Sequence, residues 1–93
     1  MTYNQFKLLC IAYLKPFEGK PFKELVHAEE NWSNNVNFNN LEFKQYINNS
    51  FAYVDGVSDM IIFVYNREHN FQIWNDSKFK FVSIKNLVPK DII

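Results

Sequence analysis

Side chains able to do chemistry are few in this chain of ninety-three residues. Cys10 is the single cysteine, His27 and His69 are the only histidines, and Arg67 is the only arginine. A nucleophilic thiol needs a base beside it. Cys10 instead falls on an apolar helical stripe, where a thiol behaves as a small buried hydrophobe. His27 has Asn31 at i+4 in place of a second ligand, and one Cys with two separated His does not make a metal site. The densest polar cluster is Asn66-Arg67-Glu68-His69-Asn70, with Tyr65, Lys78 and Lys80 nearby. A small ribonuclease-type toxin would use Arg, Glu, His and Lys on such a framework, and would need His69 and Glu68 to converge on one point. Neighbours in a hairpin loop tend to point apart. With only two glycines there is no glycine-rich phosphate loop either. The expectation is a non-enzyme with no catalytic residue, no metal and no cofactor.

Charge supports that expectation. Ten basic and ten acidic side chains give a formal net charge of zero, and nine of the basic ones are lysine. Gripping a phosphate backbone takes a basic surface. Planar, bidentate recognition of phosphate or guanine is chiefly arginine work. A neutral, arginine-poor chain is a poor nucleic-acid binder. A lone cysteine allows no internal disulfide, which fits a reducing compartment. Leu8–Leu14 is too short for a signal peptide and runs into Lys15-Pro16. The expected location is cytoplasmic, with no membrane partner. Thirteen Asn and seventeen aromatic residues share AT-rich codons with Lys and Ile, a composition that points to a low-GC microbe, a phage or a mobile element.

The elements that must position these groups divide into a helical half and a strand half. Thr2 can cap a helix over about 3–15 that ends at Pro16. Phe6, Leu9, Cys10 and Tyr13 give the helical spacing, and Leu8, Ile11, Ala12 and Leu14 widen the stripe nearly all the way round. Such a helix is expected to be sandwiched. Pro21 suits the first turn of a second helix over about 21–31, with Phe22, Leu25 and Val26 inward. The Asn-rich piece 33–40 reads as an ordered loop, and Asn40 can cap a third helix over about 41–49 with Phe43, Tyr46 and Ile47 inward. Strands follow at about 51–54, 57–65, 71–75 and 79–84. Asp55-Gly56 is the strongest hairpin signal. The expected fold is therefore a single α+β domain, three N-terminal helices packed on a C-terminal four-stranded antiparallel meander. The final residues, Leu87 to Ile93, form an apolar tail expected to pack along the sheet.

Setting the strand register exposes an asymmetry. With Asp76-Ser77 as a tight turn, Trp74 faces Phe79 and Gln72 faces Phe81; Phe63 faces Ile73 and Tyr65 faces Phe71. One sheet face then carries Ile61, Phe63, Tyr65, Phe71, Ile73, Val82 and Ile84. The other carries Ile62, Val64, Trp74, Phe79 and Phe81. Antiparallel sheets usually keep one face wet, so something should cover the second: the tail, a second copy of the chain, or a different protein. The expected function is non-catalytic protein binding, as a small inhibitor or regulator. Its site would be Ile62, Val64, Trp74, Phe79 and Phe81, rimmed by Arg67, Glu68 and His69. An alternative is a winged-helix DNA-binding regulator that reads with helix 41–49, whose Asn and Gln can pair with adenine. Its wing would carry Asp55 and Asp59, negative charge turned toward phosphate.

Overall fold

The computed structural model describes residues 1–26, 35–57, 59–68, 70–75 and 78–81. Helix α1 spans Tyr3–Leu14 and starts where the sequence marks it. The Thr2 hydroxyl accepts from the Gln5 amide at 3.1 Å, and the Gln5 side chain accepts from the Thr2 amide at 2.8 Å, a reciprocal capping box. Pro16 does not stop the chain dead. It sits inside a 3₁₀ turn, Lys15–Phe17, that tightens the helix end. Phe6, Leu9, Cys10 and Leu14 are buried, whereas Leu8 is 42 % exposed. The helix is thus laid on a surface by one stripe and is not sandwiched.

Helix α2, Phe22–Val26, is the described part of the second expected helix. Residues 27–31 of that span, His27 among them, lie outside the described residues. Pro21 precedes the helix, its carbonyl accepting from the Glu24 amide at 3.1 Å. Gly19 turns the chain here with φ +79°, a conformation glycine adopts without penalty. Its amide donates to the Val36 carbonyl and the Val36 amide to the Lys20 carbonyl, both at 2.8 Å. Those bonds tie the Asn-rich loop down and bury Val36 in the core.

Five antiparallel strands in the order β1-β2-β3-β4-β5 form one sheet: Leu41–Tyr46, Ser50–Asp55, Ile61–Asn66, Asn70–Asn75 and Lys78–Phe81. This overturns the expectation of three helices on a four-stranded meander. The segment expected as a third helix, 41–49, is strand β1 followed by a 3₁₀ turn, Ile47–Asn49. Its apolar residues fit either period: Phe43, Tyr46 and Ile47 sit at helical spacing, but Leu41, Glu42, Phe43 and Lys44 alternate inward and outward. Pairing with β2 decides between the two. Asn48 and Asn49 do adopt the left-handed conformation, with φ of 60° and 54°, but in a hairpin loop and not at a helix end. The winged-helix arrangement loses its reading helix.

The register from β3 onward is as the sequence suggests: Phe63 opposite Ile73, Tyr65 opposite Phe71, Trp74 opposite Phe79 and Gln72 opposite Phe81. The first hairpin of the expected sheet differs. Asp55-Gly56 does not make a two-residue turn. The Asp55 amide donates to the Met60 carbonyl at 2.9 Å, which closes a longer loop between β2 and β3. Gly56 serves close approach instead, its amide bonded to the Asn40 carbonyl at 3.1 Å; a Cβ there would stand 3.0 Å from that oxygen. An irregularity follows, because Tyr53 pairs with Phe63 but Val54 pairs with Ile61, leaving Ile62 as the extra residue of a β-bulge. The bulge moves Ile61 off the Phe63 side and onto the side of Val54. Val82 and Ile84 lie outside the described residues, as does the apolar tail.

The core lies between α1 and one sheet face and is largely aromatic. Phe6 meets Phe43, Phe51 and Phe71 at ring-centroid distances of 6.3, 5.6 and 6.1 Å, and Tyr13 meets Phe63 edge-on at 5.3 Å. Every one of these sheet residues belongs to the alternation that includes Tyr53 and Phe71. Edge-to-face and offset ring pairs add to the area they bury. This packing fixes which side of the sheet is the inside.

Candidate functional site

Of the eight residues expected to form the site, the structure brings together the middle group. Strand alternation places Val64 and Trp74 on the face turned away from α1, with Phe79 paired opposite Trp74. The Trp74 and Phe79 rings meet edge-on at 5.0 Å. Val64, Trp74 and Phe79 are each partly buried, and Trp74 leans on the core cluster. Ile62 is fully buried. Phe81 pairs with Gln72 on the same face, but its side chain lies outside the described residues. Ile61, brought to this side by the bulge, is 40 % exposed and was not among the sequence-derived candidates. Only the bulge reveals it, and no residue type in 61–63 announces a bulge.

Coverage of this face is uneven. Ala52 and Val54, which project from β2 on the same side, are buried, so the centre of the face is enclosed. Beyond the exposed Glu42 and Lys44 of β1, what stays accessible on this side among the described residues is the strip of Ile61, Val64, Trp74 and Phe79 running over β3, β4 and β5. Within it the Trp74 indole nitrogen is buried and finds no hydrogen-bond partner among the described residues. A desolvated N–H without an acceptor is unfavourable by about 1–3 kcal/mol.

Of the polar residues expected as a rim, Arg67 and Glu68 lie elsewhere. Arg67 and Glu68 are exposed at the tip of the β3–β4 hairpin, and His69 lies outside the described residues. Arg67 and Glu68, together with Asn48, Asn49, Ser50 and Asn66, line an open polar groove of about 530 Å³ between the two neighbouring hairpin tips. Trp74 is four residues along β4 from Asn70, roughly 13 Å at the usual strand rise. The hairpin tips and the Trp74–Phe79 pair therefore occupy opposite ends of the same strands. The groove collects amides, one guanidinium and one carboxylate.

Two further groups have the burial that often accompanies chemistry. The Cys10 thiol is enclosed in the α1 stripe, and burial pushes its pKa well above the ordinary 9.0, so it is the protonated, inert form. The Tyr53 phenol is buried on the helix side with no hydrogen-bond partner for its oxygen among the described residues. Burial first, and then the negative charge of Asp55, raises its pKa far above 10.0. Both groups are fully enclosed. No cluster of three or more metal-binding side chains occurs among the described residues, and no helix among them is long and apolar enough to cross a membrane. Comparison with protein-family models, with curated proteins and with solved structures finds no match to this chain.

Proposed function

We propose that the chain is a small non-catalytic protein-binding module that docks through the sheet face turned away from α1. The supporting observation is the Trp74–Phe79 pair. It is an edge-on aromatic couple on an accessible strip, beside Val64 and Ile61, while the other sheet face is closed by the helix. Tryptophan is among the residue types that tend to dominate interface energetics. Of the partner types an aromatic strip suits, an apolar protein surface fits best, since the strip offers no charge to hold a polyanion.

The test compares the wild-type chain with Trp74→Ala as baits in the lysate of the source cell, followed by titration of whatever is retained. A bait that keeps its far-ultraviolet circular dichroism yet binds about 2 kcal/mol or more weaker supports the docking face. Retention of the same protein at unchanged affinity by folded Trp74→Ala removes it.

A further inference from the structure

The first strand of the sheet offers a second, independent surface. β1 forms an edge: its paired neighbour among the described residues is β2 on one side. Glu42, Lys44, Gln45 and Tyr46 are exposed, and the loop beyond continues with Ile47 at 84 % exposure. An uncovered edge presents a row of backbone donors and acceptors that another strand can complete.

We propose that this edge pairs with the same edge of a second copy, joining two five-stranded sheets into one. Geometry restricts how that can happen. Two identical antiparallel strands lying side by side keep each side chain on its own face only if their twofold axis is perpendicular to the sheet. The axis then passes through a residue paired with its own copy. An axis at Glu42 sets carboxylate against carboxylate, and an axis at Lys44 sets ammonium against ammonium. An axis at Phe43 does neither. It puts Glu42 opposite Lys44 of the second copy and Lys44 opposite Glu42, so the one central register carries two unlike-charge pairs on a shared face. Phe43 then lies opposite Phe43, and Leu41 opposite Gln45. Cross-strand pairs of opposite charge or of two aromatic rings are the stabilising kind, and like charges directly opposite are destabilising. The segment Leu41-Glu42-Phe43-Lys44-Gln45 is therefore self-complementary about its middle residue.

Sedimentation velocity over about a hundredfold range of concentration tests this, because a twofold dimer dissociates by mass action. The wild-type chain is expected to dimerise. Glu42→Lys and Lys44→Glu, both at exposed positions, should each raise the dimer dissociation constant about tenfold or more while circular dichroism stays unchanged. An equal mixture of the two variants should dimerise again, as the mixed species, since each then meets its opposite charge. Trp74→Ala should leave this dimer intact, which separates it from the docking face. A wild-type chain that is monomeric throughout the range, or a dimer indifferent to both charge reversals, overturns the proposal.

Discussion

Two faces of one sheet carry aromatic residues here, and they differ in what holds them. On the α1 side Phe6, Phe51, Phe63 and Phe71 interlock within a single buried cluster against which Phe43 packs, and none of those four rings is more than 2 % exposed. On the far side Trp74 and Phe79 touch each other and Trp74 rests on the core, but both keep part of their surface accessible. The difference teaches that aromatic content alone does not locate a core. A ring becomes structural when several elements converge on it, and Phe6 reaches β1, β2 and β4 from one helix turn.

That contrast can be broken from the helix side first. Phe6→Ala removes the ring that three strands share and leaves a cavity that the sheet cannot close; a loss of about 3–5 kcal/mol is expected from urea unfolding. A smaller effect comes from loosening the start of the same helix. Thr2→Ala deletes the hydroxyl acceptor of the capping box and should lower stability by about 1 kcal/mol without altering the sheet.

Tyr53 sharpens the comparison by chemistry and not by volume. Its folded-state pKa is raised, so the unfolded chain gives up the phenolic proton first. The stability tied to the neutral phenol is whole below pH 10 and falls as pH climbs beyond that value. Cys10 and Tyr13, whose pKa values are also raised by burial, add to the same alkaline decline. Tyr53→Phe should flatten part of that decline, read as the difference between unfolding midpoints at about pH 8 and about pH 10.5. Near neutral pH the substitution should change stability by less than about 1 kcal/mol, because the lost hydroxyl leaves no stranded partner.

How much of this was legible beforehand follows the kind of signal each segment carries. Thr2 and the spacing of Phe6, Leu9 and Cys10 announce α1, since a cap and a 3.6-residue period are local properties. The register from Phe63 to Phe81 was also legible, because short turns leave few ways to pair strands. Segment 41–49 was not. Phe43, Tyr46 and Ile47 satisfy a helix stripe, and the alternation that marks a strand lasts only from Leu41 to Lys44. The choice was made by a long-range partner, β2, that no local pattern names. Gly56 misled for a related reason: beside Asp55 it looks like a hairpin turn, but its lack of a Cβ admits the Asn40 carbonyl instead. At the candidate site the Trp74–Phe79 pairing could be read from spacing. The distance of Arg67 and Glu68 from that pair could not, because the sheet-end groove they line exists only once β1 and β2 place Asn48 and Asn49 beside them.

The measurement that bears most directly on the inequality of the two faces is equilibrium urea unfolding of Trp74→Ala beside Phe6→Ala at neutral pH. Equal m-values, with Trp74→Ala losing less than about 2 kcal/mol and Phe6→Ala losing about 3–5, are the predicted result. A Trp74→Ala loss as large as that of Phe6→Ala would place the indole in the core and contradict the account.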